Sequence, residues 1–231
     1  LSGESAAYYL YSPNLPLASQ LYGIMIVQTE ERSSSVFIEG LCRYGYAIRY
    51  EIFRGECPQP HIDRLVERAK AEKSTVVVGI SGDKILDTAK DVAYYAGLPV
   101  DIIPTVASTD SPCSSLSVIY QDNGEFEDIF FGPLADMVLV DTDVIAKALA
   151  KPLMAEMGDT IATYFEARAC RAPCRGNQVA GKPALAVGGL ATMCWQCLQK
   201  EGKAAKEAVD AGMCNASLKT IFEINTCATR S

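Results

Sequence analysis

The sequence predicts an α/β part with a parallel, Rossmann-like sheet and a hairpin, followed by an incomplete all-α part. Up to about residue 145, short apolar runs of strand length alternate with segments of helical spacing, and this alternation is typical of βαβ units. Beyond about Thr142 only Ala- and Leu-rich helical patterns remain. We therefore predict an α/β domain at residues 1–145 and a partial helical domain at residues 146–231.

The clearest strand is Ser74–Gly79, a continuous β-branched run of the kind that is buried on both faces of a sheet. Four further strands are predicted, at Tyr22–Val27, Ala47–Phe53, Val100–Pro104 and Met137–Val140. Helices are predicted between them, at 36–44, 61–72 and 84–96. Asp122-Asn123-Gly124 separates two further apolar runs, which predicts a hairpin turn.

In the second part the sequence predicts three helices, at 156–169, 184–201 and 204–211. Asp159 lies near the predicted start of the first. It either caps that helix, the commonest role for such an Asp, or supplies an oxygen ligand to a divalent metal. About 85 residues is short for a domain that must bury its own core, so we expect exposed apolar faces and self-association into a homo-oligomer.

Composition excludes several classes of function. The 231 residues are 49% apolar, which rules out a disordered chain, and carry a net charge of −7. An acidic chain is a poor candidate for binding nucleic acid or an anionic membrane. Nine cysteines with no visible export signal favour reduced thiols and a cytoplasmic protein.

Two smaller features have ordinary explanations. Cys170, Cys174, Cys194 and Cys197 have a zinc-ribbon-like spacing, but the second pair lies within an apolar helical run, where cysteine is a small buried hydrophobe. The single histidine, His61, is expected in the first turn of a helix and exposed.

Two loops at predicted strand ends are candidate binding sites. Gly79–Lys84 joins a strand to a helix, an arrangement that can bring backbone N–H groups and a helix N-terminus to a phosphate. A plain turn is the alternative, and the Asp83 carboxylate would repel a pyrophosphate. Pro104–Ser114 is rich in hydroxyls and contains one carboxylate, Asp110. It suits hydrogen bonding to a polyol or ribose, or it is an ordinary Ser/Thr-rich turn.

Together the motifs of residues 52–226 resemble the glycerol dehydrogenases of the iron-containing, long-chain alcohol dehydrogenase family. The anchoring motifs are Gly55-Glu-Cys57, Leu86-Asp-Thr-Ala-Lys90, Ala93-Tyr-Tyr-Ala-Gly-Leu-Pro99, Pro104-Thr-Val-Ala-Ser-Thr-Asp110 and Gly158-Asp159-x-x-Ala-Thr-Tyr-Phe-Glu-Ala-Arg168.

The resemblance implies that the first domain binds NAD and that the second holds a divalent metal, usually zinc. It implies that the metal polarises the hydroxyl of a small polyol such as glycerol, which then releases hydride to NAD. Asp110 matches the substrate contact and Asp159 matches a metal ligand. The positions that match or adjoin cofactor contacts are Gly82, Asp83, Lys84, Thr105, Ser108, Ser114, Leu116 and Tyr120.

The chain also departs from the family pattern. The family's glycine triplet is Ser81-Gly82-Asp83 here, and two metal-binding histidines expected downstream of Thr226 are absent from these residues. A catalytic zinc needs three protein ligands. We therefore expect a C-terminally truncated, impaired glycerol dehydrogenase-like oxidoreductase. The alternatives are a non-catalytic remnant that keeps the fold for assembly or weak nucleotide binding, and a cysteine-zinc binding module.

Overall fold

A computed structural model of the chain describes residues 8–10, 23–28, 47–53, 55–121, 123–148, 150–171 and 184–228. These residues form two compact units. The α/β unit contains the described residues up to Thr105 together with Ser114–Asp141, and the helical unit contains Val106–Cys113 and the described residues from Thr142 onward.

A six-stranded sheet forms the centre of the α/β unit. Its strands are β1 (Tyr8–Leu10), β2 (Gly23–Gln28), β3 (Ala47–Ile52), β4 (Val76–Ser81), β5 (Val100–Pro104) and β8 (Met137–Val140), in the spatial order β1-β8-β5-β4-β2-β3. All neighbours pair in parallel except β1, which is antiparallel to β8. The remaining strands, β6 (Leu116–Tyr120) and β7 (Phe126–Phe131), form the hairpin. The predicted parallel sheet and hairpin are confirmed, and β1 is an addition to them.

Two helices of this unit follow from simple sequence signals. Helix α1 (Gln59–Ala71) buries Ile62, Leu65, Val66 and Ala69, which recur at helical spacing. Helix α2 (Asp83–Ala96) ends at Gly97, whose φ of 69° is the left-handed conformation that glycine adopts at a helix end. The helix predicted at 36–44 lies outside the described residues.

The β4–α2 connection differs from the sequence prediction because the strand continues beyond Gly79 to Ser81. Ile80, predicted to be in a loop, is 3% exposed. A Cβ atom at Gly79 would lie 2.8 Å from the Cβ of Ala89, so α2 packs directly against the β4 backbone. Glycine at this position therefore allows the close contact between β4 and α2.

A buried ion pair fastens the hairpin to α2. The Lys90 Nζ lies 2.9 Å from an oxygen of Asp87 and donates a 2.6 Å hydrogen bond to the carbonyl of Leu116. The other Asp87 oxygen accepts the backbone N–H of Val118 at 3.0 Å. Asp87 and Lys90 are 5% and 6% exposed. The start of β6 is thus held by two oppositely charged side chains that are both buried and form an ion pair with each other.

Asp91, also on α2, is fully buried, and its burial raises the pKa of its carboxyl to about 7. A folded-state pKa above the unfolded value means that this group contributes stability that is lost as the pH rises from about 4 to about 7. We expect Asp91→Asn to stabilise the protein at pH 8 by roughly 2–4 kcal/mol and to flatten this part of the pH profile.

Urea unfolding at pH 4.5 and pH 8 measures this effect. Glu67→Gln, at an exposed position of α1, is the control for loss of a carboxylate and should change stability by less than about 0.5 kcal/mol. The prediction is contradicted if the stability difference between Asp91→Asn and the parent protein is no larger at pH 8 than at pH 4.5.

The helical unit contains four described helices: α3 (Thr142–Ala146), α4 (Ala150–Arg171), α5 (Leu185–Asp210) and α6 (Ala216–Ala228). Helix α4 begins six residues earlier than predicted, α5 is one helix where two were predicted, and α6 was not predicted. Gly202 lies inside α5, where its missing side chain leaves room for Leu198 and for Met157 of α4. It serves helix packing rather than a break.

Cys194 is completely buried on α5, and its thiol lies 3.4 Å from the carbonyl oxygen of Ile224. The prediction of a small buried hydrophobe is confirmed for Cys194, whereas Cys197 on the same helix is only half-buried. Cys174 lies outside the described residues. In the described part of the chain, no helix has the length and apolar character needed to cross a membrane.

Candidate active site

The β4–α2 loop lines a cavity of about 280 Å³ in the α/β unit. The lining residues are Phe53, Gly55, Ser81, Gly82, Asp83, Lys84 and Ile85. Gly82, Asp83 and Lys84, which the sequence singled out, therefore lie together on one concave surface. The cavity opens where α2 begins, at the carboxyl end of β4, where open parallel sheets bind their ligands.

The N-terminus of α2 has the chemistry of an anion site, but the Asp83 carboxylate already lies there. The first N–H groups of a helix have no partner within the helix, and the helix dipole favours negative charge there. Gly82 is the N-cap residue and offers no side-chain cap. The carboxylate of Asp83 accepts the N–H of Lys84 at 2.9 Å, so the chain already places its own negative charge at this position.

The Lys84 ammonium is the cation of this cavity, and it is already paired. Its Nζ lies 2.6 Å from both carboxylate oxygens of Glu56 and 5.3 Å from the centre of the Tyr120 ring. The hydrogen bond to Glu56 is the main cause of the raised pKa of Lys84. The Glu56 contact was missed by sequence reasoning, although Gly55-Glu-Cys57 was recognised as a motif.

The other predicted cofactor positions of this unit fall in two places. Thr105 donates its N–H to the carbonyl of Ser81 at 3.1 Å, which puts it beside the cavity loop. Ser114 and Leu116 lie at the start of β6, where both carbonyls accept hydrogen bonds from Lys90. Tyr120 lies at the end of β6 with its ring against Lys84. The structure thus gathers Gly82, Asp83, Lys84, Thr105 and Tyr120 around one loop. Ser114 and Leu116 instead belong to the contacts with Lys90 that hold the hairpin to α2.

Three carboxylates interact within the helical unit. Glu156 is 3% exposed on α4, and its burial, together with the negative charges of Asp110 and Asp159, raises the pKa of its carboxyl well above the ordinary value. Asp110 and Ser108 lie in the segment 106–113, which packs with this unit. Sequence reasoning named Asp110 and Asp159 but missed Glu156, whose position one helical turn before Asp159 was the available signal.

The described residues do not complete a metal centre. Asp159 lies exposed in the interior of α4, so the helix-capping interpretation was wrong. Among the described residues, no three His, Cys, Asp or Glu side chains are placed to hold a metal ion. His61 is half-buried in α1 rather than exposed, with the centre of its ring 5.5 Å from the centre of the Phe53 ring in an edge-on arrangement. The described donors are too few to hold a catalytic metal on their own.

Comparison with known proteins identifies the family. The model of the family described as "Iron-containing alcohol dehydrogenase" matches residues 22–142, more than half of the chain. The chain belongs to the iron-containing alcohol dehydrogenase family. Family membership accounts for the order of the motifs along the α/β unit.

Individual relatives agree with this assignment. The chain is 44% identical over 236 residues to the glycerol dehydrogenase of Citrobacter freundii, covering 96% of this chain and 64% of the relative. The structure of a probable glycerol dehydrogenase from Sinorhizobium meliloti 1021 is similar, with a TM-score of 0.79, 34% identity, and coverage of 91% of this chain and 58% of that one. The glycerol dehydrogenase structure from Schizosaccharomyces pombe has a TM-score of 0.81 at 27% identity, covering 91% of this chain and 54% of that one.

The resemblance seen in the sequence motifs is thereby confirmed. The chain spans between 54% and 64% of the length of these three relatives. Their names describe proteins of which this chain matches only part.

Proposed function

We propose that this chain is part of an NAD-linked dehydrogenase that oxidises glycerol or a related small polyol to a hydroxyketone. The observation that carries the proposal is the cavity at the start of α2, where Gly82 and Lys84 combine a helix N-terminus with a cation. The glycerol dehydrogenases among the relatives support the polyol as substrate. In the balanced reaction, polyol and NAD⁺ give hydroxyketone, NADH and one proton.

In this proposal the residues of the α/β unit bind the cofactor. The Gly82–Lys84 loop holds the diphosphate, with the helix N-terminus and the Lys84 ammonium opposing its charge. Thr105 and Tyr120 border the same loop and complete the contacts. Bound NAD supplies the hydride acceptor. Ser108, Ser114 and Leu116 are also proposed as cofactor contacts, and only their match to the family motif supports them.

The residues of the helical unit serve the substrate in this proposal. Asp110 accepts a hydrogen bond from a polyol hydroxyl and so orients it. Family membership implies a divalent metal. We propose zinc as that metal and Asp159 as one of its ligands, a position that supplies a single exposed carboxylate. We also predict a homo-oligomer, which is supported by the exposed apolar side chains Phe165, Leu185, Met193 and Met213. A cytoplasmic location stays a prediction.

A second function, nucleotide binding without turnover, is favoured for a polypeptide of these 231 residues by one observation. Its described part brings no three metal donors together. Cofactor binding and polyol oxidation are therefore separable properties here, and each has its own test.

Cofactor binding is tested by replacing Asp83. We expect weak NAD binding by the unmodified chain and about tenfold tighter binding, ~1.4 kcal/mol, by Asp83→Gly. The reason is that the substitution removes a negative charge beside the diphosphate and frees the N–H of Lys84 that the carboxylate now occupies. Isothermal titration calorimetry with NAD measures the affinity.

Asp83→Asn is the matched variant, because it removes the charge and keeps a side chain of similar size. We expect it to gain part of the affinity, which separates the effect of charge from that of shape. Micromolar NAD affinity in the unmodified chain that neither substitution changes would count against the proposed role of this loop.

A further inference from the structure

We propose that Glu56 is the resident anion of the nucleotide site: its carboxylate occupies Lys84 in the place of phosphate and must release it before a diphosphate binds. The inference rests on the proposed function, because it takes the β4–α2 cavity to be the NAD site. It goes beyond that function by naming a residue that opposes the cofactor and sets how tightly it is held.

The geometry makes Glu56 a competitor for the ligand. Both of its carboxylate oxygens lie 2.6 Å from the Lys84 Nζ, as close as the oxygens of a bound phosphate would lie. The side chains of Glu56 and Lys84 are 23% and 41% exposed, so the pair is only partly screened by water. A phosphate that takes the Lys84 ammonium must either displace Glu56 or share the cation with it.

The hairpin turn lies beside Glu56. Gly124, in the hairpin turn, has a φ of 84°, and a Cβ atom there would lie 3.8 Å from a carboxylate oxygen of Glu56. On the hairpin side, the ring of Tyr120 faces the ammonium group. The ion pair joins the segment between β3 and α1 to the start of α2 across 28 positions of sequence.

Counting charges gives the sign of the effect. Lys84 is one positive charge beside two carboxylates, those of Glu56 and Asp83, so the site is negative before any ligand arrives. The diphosphate of NAD adds two further negative charges. Removing the charge of Glu56 should therefore tighten the binding of ligands that carry a diphosphate. It should leave ligands without phosphate unaffected. A Glu56 that only orients Lys84 would give the opposite sign, because its loss would then weaken binding.

The experiment titrates NAD, ADP and adenosine into the 231-residue chain and its Glu56→Gln variant by calorimetry. Glutamine keeps the size of the side chain and an oxygen that can accept from Lys84, while it removes the charge. We expect NAD and ADP to bind three- to tenfold more tightly to Glu56→Gln, and adenosine to bind equally to both. Glu125→Gln is the matched control, since it removes an exposed carboxylate from the hairpin turn near Glu56. It should change NAD affinity less than twofold.

A second comparison assigns the gain to Lys84. In a Lys84→Met background the Glu56→Gln substitution should tighten NAD binding by less than twofold, because the cation for which Glu56 competes is gone. Circular dichroism of each variant shows whether the fold is kept.

The possible outcomes separate the inference from the proposed function. If NAD binds the unmodified chain and Glu56→Gln binds it equally or more weakly, the inference is overturned and the nucleotide site stands. If NAD binds neither the unmodified chain nor any folded variant, the proposed nucleotide site is overturned and the inference with it. Binding that is detected only in Glu56→Gln supports both.

Discussion

A polypeptide of these 231 residues is expected to form NADH from glycerol and NAD at no useful rate, with or without added zinc. An aliphatic alcohol is a very weak acid, and its hydride leaves readily only when the hydroxyl is deprotonated or polarised. The described residues bring no three metal donors together, and the only histidine of the sequence is His61 in the α/β unit. Asp110 and Asp159 can accept hydrogen bonds, but they cannot polarise an alcohol as a metal ion does. We expect a rate at least about 10³-fold below that of a complete relative, a reduction well within the rate enhancements that enzymes supply.

The absorbance of NADH gives this rate directly, with the Citrobacter freundii glycerol dehydrogenase assayed alongside as the positive control. Turnover by the 231-residue chain that a chelator abolishes would show that these residues hold a catalytic metal after all. Turnover that a chelator leaves unchanged would show that these residues activate the alcohol in another way.

Lys90→Met is expected to destabilise the α/β unit by roughly 3–5 kcal/mol, the usual cost of leaving one partner of a buried ion pair alone. Asp87, at 5% exposure, would lose the cation that compensates it, and the carbonyls of Ser114 and Leu116 would lose their donor. Because these contacts hold the start of the hairpin, the loss should reach the β6–β7 strands as well as α2. Urea unfolding followed by far-ultraviolet circular dichroism measures the change.

Two companion variants define the cause. Lys203→Met removes a lysine whose side chain is 89% exposed on α5, and it should change stability by less than about 0.5 kcal/mol. Adding Asp87→Asn to Lys90→Met removes the uncompensated charge and should recover part of the loss. A Lys90→Met protein as stable as the parent would mean that the buried pair does not hold the hairpin.

Local patterns in the sequence were sufficient for most of the sheet and for the position of the β4–α2 loop. The β-branched run before Gly79 predicts a buried strand, Gly97 predicts the end of α2, and Gly124 predicts the hairpin turn. In each case the physical cause acts over a few residues: burial on both faces of a sheet, or a positive φ that glycine tolerates. Motifs such as Leu86-Asp-Thr-Ala-Lys90 and the one that begins at Gly158-Asp159 then indicated the family.

The contacts that set the charge of each site could not be predicted in the same way. Glu56 and Lys84 are 28 residues apart, and only the fold brings them together. Glu156 interacts with Asp110, far from it in sequence, through the packing of the helical unit. The sequence predicts two helices, at 184–201 and 204–211, where the structure has one; Gly202 lies inside it and gives room to Leu198 and Met157.

The polyol dehydrogenase assignment is tested most directly by joining this chain to the part of the Citrobacter freundii relative that it does not match. Zinc binding and NADH formation from glycerol are then measured on the same protein. We expect the joined protein to bind zinc and to oxidise glycerol, and its Asp159→Asn variant to lose both properties. A joined protein that folds and binds both NAD and zinc, yet oxidises neither glycerol nor another small polyol, would contradict the assignment.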